Sequence, residues 1–290
     1  MTPSLLFGSG GTPLSVKSSD VFEAVREIRQ LGLGCMELEF VQRIWLEKEK
    51  ALELKKLAEA EKVVLTCHGP YYVNLNAHKA EKLNQSWGYI TNATKIALAA
   101  GVRSLTFHPG FYLQDDPKAV LQKIQEQFEK IIEALAYKYE VLDLKNPQIY
   151  FSPETTGKAS AFGSLEELIQ LSINLNEKYH CQLVKPCVDF AHLYARSLGV
   201  FNQYEDFAGA LNKLQSGLGR WVLENMHIHL SGINYGKTGE LKHLGIEESD
   251  FNFRAVLQAL KDYNVSGTVI CESPKLEEDA LVMKKIYEEM

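Results

Sequence analysis

Short apolar segments rich in β-branched residues alternate with longer segments of helical periodicity along the whole chain. Apolar runs of roughly four to eight residues are typical of buried strands, whereas apolar residues spaced three and four apart indicate amphipathic helices. The strand pattern occurs at residues 5–8, 35–40, 63–68, 104–108, 148–153, 183–189, 226–230 and 268–272. The helical pattern occurs at residues 19–31, 45–61, 81–100, 117–139, 164–179, 204–214, 251–263 and 277–289.

This continuous strand–helix alternation predicts an α/β protein in which a parallel sheet closes into one (β/α)8 TIM barrel, with residues 1–290 as a single domain. A doubly wound open sheet is the competing architecture, but it usually has fewer strands and has a ligand-binding motif at its switch point. The opening FGSGGT segment lacks the GxGxxG spacing and the acidic residue about 20 positions later, so it predicts a turn.

The composition is that of an ordinary globular protein, with 46% hydrophobic and 23% charged residues. No apolar run reaches the roughly 18 residues that span a bilayer, and no secretion signal is recognisable. Five cysteines without a CxxC pair predict mostly buried free thiols in a reducing cytoplasm. The net charge of −6 provides no overall basic surface for nucleic acid, although bound metal ions can override it.

Seven of the eight predicted strands carry a His, Asp or Glu at or near the carboxyl end. These residues are Glu37, Glu39, His68, His108, Glu154, Asp189 (with His192 three positions on), His227, His229 and Glu272. Any one of them alone would ordinarily be a hydrogen-bonded side chain or a charge at a helix entry. The carboxyl ends of barrel strands meet at one face, where so many carboxylates and imidazoles would repel and desolvate one another.

Divalent metal ions remove this conflict because they neutralise carboxylates and bind neutral imidazole nitrogens. Mixed His, Asp and Glu ligands favour zinc, with manganese or iron as alternatives. One zinc ion needs four ligands, so the set predicts two or three ions and a bridging carboxylate such as Glu154 or Asp189. Metals about 3.5–4 Å apart serve phosphoryl transfer, and the sequence therefore favours hydrolysis of a phosphate ester.

These residues lie in segments that resemble endonuclease IV, the zinc-dependent apurinic/apyrimidinic endonuclease family with a xylose-isomerase-like barrel. The resemblance extends through nearly the whole chain, in the segments HGPYYVNL, FHPG, ETTG, VDFAH, HIHLSG and CESP. It implies a DNA-repair enzyme that hydrolyses the phosphodiester 5′ to abasic sites in duplex DNA. We expect a cytoplasmic monomer whose partner is damaged DNA.

The resemblance also implies the ligands of three zinc ions. The first ion would be held by His68, His108 and Glu154; the second by Glu154, Asp189, His229 and Glu272; the third by His192 and His243. Within this set Glu154, Asp189 and Glu272 would be the catalytic carboxylates.

His229 is favoured over His227 as the ligand in the seventh strand, because HLSG matches the family's His-Leu-Asn-Asp better. His227 faces the same side of the strand by its period of two and is expected beside the ligands or as the alternative ligand.

The chain departs from the family pattern after the seventh strand. Leu241 replaces the Asp of the family's Asp-x-His, so the third metal is expected to bind weakly, through water, or with the help of Glu240.

A second set of matches concerns DNA. The segment Gln42-Arg43-Ile44-Trp45 resembles the family's QRxW loop, which implies that Arg43 enters the duplex at the lesion. Tyr71 and Tyr72 match the residue pair that fills the gap left by the flipped sugar. Extrusion of a nucleotide is least costly where the base is missing, and stacking a ring on an exposed base returns about 1–3 kcal/mol. The alternative for the two tyrosines is a loop with buried rings.

Two other classes of function remain open. A sugar isomerase or epimerase on the same barrel would hold one Mn²⁺ or Mg²⁺ with Glu154, Asp189, His229 and Glu272. It would not need the remaining four histidines as ligands, so their presence favours the multinuclear hydrolase. A non-catalytic metal- or nucleic-acid-binding module is difficult to reconcile with so many ligands around one opening.

Overall fold

The computed structural model describes residues 4–290. Its strands are β1 (Leu5–Gly10), β2 (Cys35–Glu39), β3 (Val64–His68), β4 (Ser104–Phe107), β5 (Gly110–Phe111), β6 (Tyr150–Pro153), β7 (Ala161–Phe162), β8 (Cys187–Asp189), β9 (Met226–Leu230), β10 (Gly232–Gly236), β11 (Gly239–Leu244) and β12 (Gly267–Cys271). Its helices are α1 (Val21–Gln30), α2 (Lys48–Glu61), α3 (Ala80–Ala99), α4 (Pro117–Glu133, continued by a π-helical turn at Ala134–Lys138), α5 (Leu165–Tyr179), α6 (Phe190–Arg196), α7 (Tyr204–Leu218), α8 (Arg220–Leu223), α9 (Phe253–Asp262) and α10 (Glu277–Glu289).

Eight of these strands form one parallel sheet in the order β6-β4-β3-β2-β1-β12-β9-β8. Two isolated backbone bridges, Phe151 with Val184 and Glu154 with Cys187, join the two edges of this sheet. The sheet is therefore closed into a barrel with helices in the connections between its strands. This confirms the predicted (β/α)8 TIM barrel.

The structure differs from the predicted pattern at the seam and in the connections. The strand predicted at 183–189 is regular only over Cys187–Asp189, because its first half meets β6 through an isolated bridge. The β10–β11 hairpin and the antiparallel pairing of β5 with β7 were not predicted, since these strands are short and lie outside the strand–helix alternation. Helix α6 was not predicted. Six of its seven residues are buried, so its sequence lacks the alternation of apolar and polar faces that indicates an amphipathic helix.

Helix starts show the expected local chemistry. The Ser164 side chain accepts a hydrogen bond from the Glu167 backbone N–H, and the Glu167 carboxylate accepts one from the Ser164 backbone N–H. This reciprocal pair satisfies two backbone donors that would otherwise be free at the start of α5. The Ser-x-x-Glu spacing is the sequence signature of this motif.

The interior of the barrel contains an unusual number of polar side chains. Alternate residues of a strand point to opposite faces, so one set from each strand faces the barrel axis. Contacts between strands that are not neighbours, such as Glu37 of β2 with His227 of β9, cross this interior. Buried polar residues on the barrel strands and on the segments that continue them include Ser9, Glu37, Thr66, Ser104, Thr106, Ser152, Lys185 and His227.

The cysteines and the helices bear on two sequence-based expectations. All five cysteines are free; four are buried, as expected, whereas Cys181 is half-buried. Among residues 4–290, the helices lack the combination of length and apolar character needed to cross a bilayer.

Candidate metal centre

The barrel mouth brings the predicted ligands together because each lies at or just beyond the carboxyl end of a parallel strand. His68 ends β3, Asp189 ends β8, and His229 is the fourth residue of β9. Glu154 and Glu272 directly follow β6 and β12. These ends belong to one closed sheet, so their side chains converge on the barrel axis.

The first cluster consists of His68, His108 and Glu154, whose potential ligand atoms all lie within 4.8 Å of one another. Nε2 of His68 is 3.1 Å and Nε2 of His108 is 3.2 Å from the same Glu154 oxygen, Oε2. His68 also places Nδ1 2.7 Å from the carbonyl oxygen of Gly69, which leaves its Nε2 to face the cluster.

The second cluster consists of Glu154, Asp189, His229 and Glu272, again within 4.8 Å. Nδ1 of His229 lies 3.1 Å from Oε1 of Glu154 and 3.3 Å from Oε1 of Glu272. Glu154 thus directs one oxygen to the first cluster and the other to the second. This is the arrangement required of a bridging carboxylate.

The third cluster consists of Asp189, His192 and His243. Nε2 of His192 lies 3.4 Å from Nε2 of His243 and 3.4 Å from Oε2 of Glu240. The β10–β11 hairpin therefore brings a carboxylate to this cluster, although position 241 carries a leucine that is 61% exposed. Of the routes considered for the missing Asp, the geometry is compatible with help from Glu240.

Burial and neighbouring charges shift the pKa values of several residues in the mouth. Burial raises the pKa of Asp189 to about 6. Burial lowers the pKa of His68, but the facing Glu154 carboxylate, together with Glu39 and Glu37, outweighs burial and raises this pKa to about 9. Burial also raises the pKa of Glu39, to about 8. Without a cation the site must hold several protons, because bare carboxylates are poorly solvated there.

The donor set fits a divalent cation. Oδ2 of Asp189 is buried and receives no hydrogen bond from residues 4–290, so it is free to ligate. The Nε2 atoms of His192 and His243 face each other, an arrangement that requires a proton or a cation between them. Carboxylate and imidazole ligands in this ratio match zinc sites, whose ligand distances are about 2.0–2.2 Å.

His227 does not face the mouth clusters. Its Nε2 lies 2.9 Å from Oε2 of Glu37, and its Nδ1 lies 3.0 Å from Oγ of Ser104. Cys187 lies beside His227 and His229 in a further group with potential ligand atoms within 4.8 Å. Burial raises the pKa of the Cys187 thiol to about 12.

The sequence pattern marks Glu37 only as an acid near a strand end and predicts no role for it. In the structure Glu37 contacts both histidines of β9. The signal available in the sequence was its position two residues before Glu39, which places both side chains on the same face of β2.

The residues expected to contact DNA lie at the rim of the mouth. Arg43 is exposed in the loop after β2. Tyr71 and Tyr72 are 54% and 64% exposed, which excludes the alternative of buried rings. The Tyr71 ring lies 5.2 Å from the His68 ring, whereas Tyr72 packs 6.2 Å from Tyr89. Tyr71 lines a cavity of about 270 Å³ together with six of the predicted ligands: His68, His108, Glu154, His192, His243 and Glu272.

The chain matches the sequence model of the xylose isomerase-like TIM barrel family over residues 25–286. It belongs to this family. Among its relatives, an uncharacterized protein of Methanocaldococcus jannaschii is 43% identical over 99% of this chain and 98% of the relative. A probable endonuclease 4 of Geobacillus is 24% identical over 82% of this chain and 72% of the relative.

Solved structures of xylose isomerase-like barrels that resemble the chain carry more than one activity. Endonuclease IV from Thermus thermophilus superposes with a TM-score of 0.70 at 22% identity, covering 98% of this chain and 100% of the other. A D-tagatose 3-epimerase-like protein superposes with the same TM-score of 0.70 at 21% identity, covering 97% and 96%. At this identity the likeness establishes the fold and leaves the reaction to be argued from the site.

Proposed function

We propose that this protein is a zinc-dependent endonuclease of the endonuclease IV type, which hydrolyses the phosphodiester 5′ to an abasic site in duplex DNA. The observation that carries the proposal is the overlap of the three clusters. Glu154 is shared by the first two and Asp189 by the last two. Shared carboxylates allow closely spaced ions, the arrangement used to clamp a phosphoryl group.

The histidines outside the second cluster separate this reaction from a sugar epimerase. Glu154, Asp189, His229 and Glu272 would suffice for one ion. Four further histidines and one acid would then serve no ligand role, yet they are gathered around the same cavity: His68, His108, His192, His243 and Glu240. The endonuclease 4 name of the Geobacillus relative supports the same conclusion.

In this proposal, one group of residues would bind the metal ions and another group would contact the DNA. Bound divalent ions supply a nucleophile at neutral pH and neutralise charge on the phosphate. Glu154 would fix the spacing between two ions through its two oxygens, because each oxygen already faces a different cluster. Tyr71 and Arg43 would contact the duplex at the rim, where Tyr71 lies against a ligand ring.

The test is incision of a duplex that carries one tetrahydrofuran abasic analogue, with metal content measured on the same preparation. We expect cleavage on the 5′ side, loss of cleavage with a strong chelator, and two or three zinc ions per chain. Absence of incision by the zinc-loaded protein, together with turnover of a ketose by a protein holding one ion, would contradict the proposal.

An epimerase is the second candidate, because the second cluster alone forms a complete four-ligand site. His108→Ala separates the two functions, since His108 belongs only to the first cluster. An endonuclease should lose one ion and most of its incision activity, by about 100-fold or more for a direct ligand. A single-metal epimerase should keep both its ion and its turnover.

A further inference from the structure

A line of buried polar side chains runs through the barrel interior toward the metal centre. Lys185 Nζ donates to Oγ of Ser152 at 3.3 Å and to Oγ of Ser104 at 3.4 Å. The two serine oxygens are 2.6 Å apart, and Ser104 Oγ lies 3.0 Å from Nδ1 of His227. All four side chains are buried. Barrel interiors are usually filled by branched apolar side chains, so a polar line of this kind is a feature to explain.

The line continues through a carboxylate to a predicted metal ligand. Oε2 of Glu37 lies 2.9 Å from Nε2 of His227, and Oε1 lies 2.8 Å from Nε2 of His229. The other ring nitrogen of His229 faces Oε1 of Glu154 at 3.1 Å. Glu37 and both histidines are 0% exposed. Glu37 is thus the connection between the barrel interior and the mouth.

We propose that Glu37 and His227 are positioning residues for the metal ligand His229. Glu37 orients the His229 ring so that Nε2 keeps its proton and Nδ1 faces the second cluster. His227 and the serines in turn hold Glu37. The inference rests on the proposed metal centre and assigns a role to residues that carry no ligand function in it.

The physical reason is that a metal-bound histidine needs its second ring nitrogen to be held. Ligating histidines usually direct that N–H to a carboxylate or carbonyl, which selects the tautomer and raises the basicity of the ligand nitrogen. His68 uses the Gly69 carbonyl in this way, at 2.7 Å, and His192 uses the Thr155 carbonyl, at 2.9 Å. Glu37 occupies the equivalent place for His229.

His227 has a matching reason to be there. A fully buried carboxylate is costly unless both oxygens are compensated, and His229 reaches only one of them. His227 compensates the other. The Ser104 hydroxyl can donate to Nδ1 of His227, which is compatible with the tautomer whose Nε2–H faces Glu37, and Lys185 and Ser152 can both donate to the Ser104 oxygen. Both nitrogens of His227 therefore face protein groups, Glu37 at 2.9 Å and Ser104 at 3.0 Å, although its Nε2 is not aligned with the carboxylate for a hydrogen bond; this leaves His229 as the ligand of β9.

The first test compares zinc affinity in Glu37→Gln and the wild-type protein by competition with a chromophoric chelator, together with the Tm of the metal-free forms. We expect one ion per chain to bind about 10- to 100-fold more weakly while the others keep their affinity. The metal-free Tm should also fall, because the amide leaves two buried histidines without their counter-charge; the selective weakening of one ion, and not the Tm, is therefore the diagnostic result. Equal weakening of all ions, or of none, would overturn the proposal.

His227 variants supply the matched comparison. His227→Gln retains an amide donor for Glu37 and should keep near-normal affinity for this ion, whereas His227→Leu should weaken it as Glu37→Gln does. A purely structural role predicts instead that both variants lower the metal-free Tm and leave the affinity pattern unchanged.

A measurement on the wild-type protein covers the case in which these variants do not fold. In the zinc-loaded protein labelled with ¹⁵N-histidine, the His229 resonances should show a protonated Nε2 and a metal-bound Nδ1. Zinc on Nε2 would refute the assignment. Neither measurement uses DNA. A protein that binds no metal contradicts the proposed function. Metal affinity that is the same in Glu37→Gln and the wild type contradicts only this inference.

Discussion

Glu154 shows how one residue can determine the character of a site. It is fully buried, and the histidines around it hold its pKa well below the ordinary value despite the opposing effect of burial. Four imidazoles lie within 3.3 Å of its two oxygens: His68, His108, His192 and His229. A carboxylate surrounded in this way remains ionised and available as a bridge.

At the same scale, the exposed Tyr71 and Tyr72 should contribute to DNA binding and leave metal binding unchanged. Replacing both by Ala should weaken binding to an abasic duplex by about 10-fold or more, since a stacked base returns roughly 1–3 kcal/mol. Fluorescence anisotropy with labelled duplex measures the first quantity and metal analysis the second. Phe replacements, which keep the rings, serve as the control; equal loss of metal and DNA binding would indicate a structural role.

The β10–β11 hairpin is the element that completes the third cluster. Glu240 donates its backbone N–H to the carbonyl of Gly157, which docks the hairpin on the loop after β6. A Cβ on Gly157 would lie 2.6 Å from Cβ of Glu240, so only glycine permits this approach. Burial raises the pKa of Glu240, but His192 together with His243 and His108 outweighs burial and lowers this pKa to about 2, so the carboxylate stays ionised beside the cluster.

We therefore expect Glu240→Gln to weaken the third ion about 10- to 100-fold and to leave the first two in place. Gly157→Ala should have a similar effect, because the added methyl displaces the Glu240 side chain. Leu241→Ala, at the adjacent exposed position, is the control and should bind metal normally. Zinc titration monitored with a chelator provides the measurement; normal affinity in Glu240→Gln would show that the third site does without this carboxylate.

For the whole molecule, the mouth links metal content to stability. Burial raises the pKa of Glu39 to about 8, and the Glu154 carboxylate, working against burial, raises that of His68 to about 9. In the metal-free protein both groups bind their proton more tightly when folded. Their stabilisation is fully present below the unfolded pKa, about 4.5 and 6.5, and is lost as pH rises through the folded values.

The Tm of the metal-free protein should accordingly fall between about pH 4.5 and pH 9, first through Glu39 and, above about pH 6.5, through His68 as well. Zinc should reverse the trend, because metal binding requires deprotonated ligands and stabilises the folded state. Differential scanning fluorimetry with and without a chelator follows both effects. His68→Gln should flatten the metal-free profile; a metal-free Tm that rises across this window would contradict the argument.

The fold was predictable because it depends on local periodicity repeated eight times. Each strand–helix unit shows its own apolar pattern, and the continuous alternation restricts the topology to a parallel sheet. The closing seam was less predictable, since Leu183–Lys185 pairs with β6 without forming a regular strand, a property of the closed barrel and not of the segment.

The mouth residues were predictable for a related reason. In a parallel barrel every strand ends at the same face, so a strand-end His, Asp or Glu must lie near the others. Their grouping around Glu154 was implied by resemblance, and the contacts between them agree with it.

The sequence by itself determined the barrel, the face that carries the chemistry and the residue types available for metal ions, because all three follow from short-range pattern. Only the tertiary structure decided three contacts. Glu37 faces both histidines of β9, and Tyr71 is exposed beside His68. Glu240 approaches His192 in the third cluster, which has Leu241 in place of the family's Asp. These contacts join residues far apart in the chain across the barrel interior or between loops, where no local pattern records the partner.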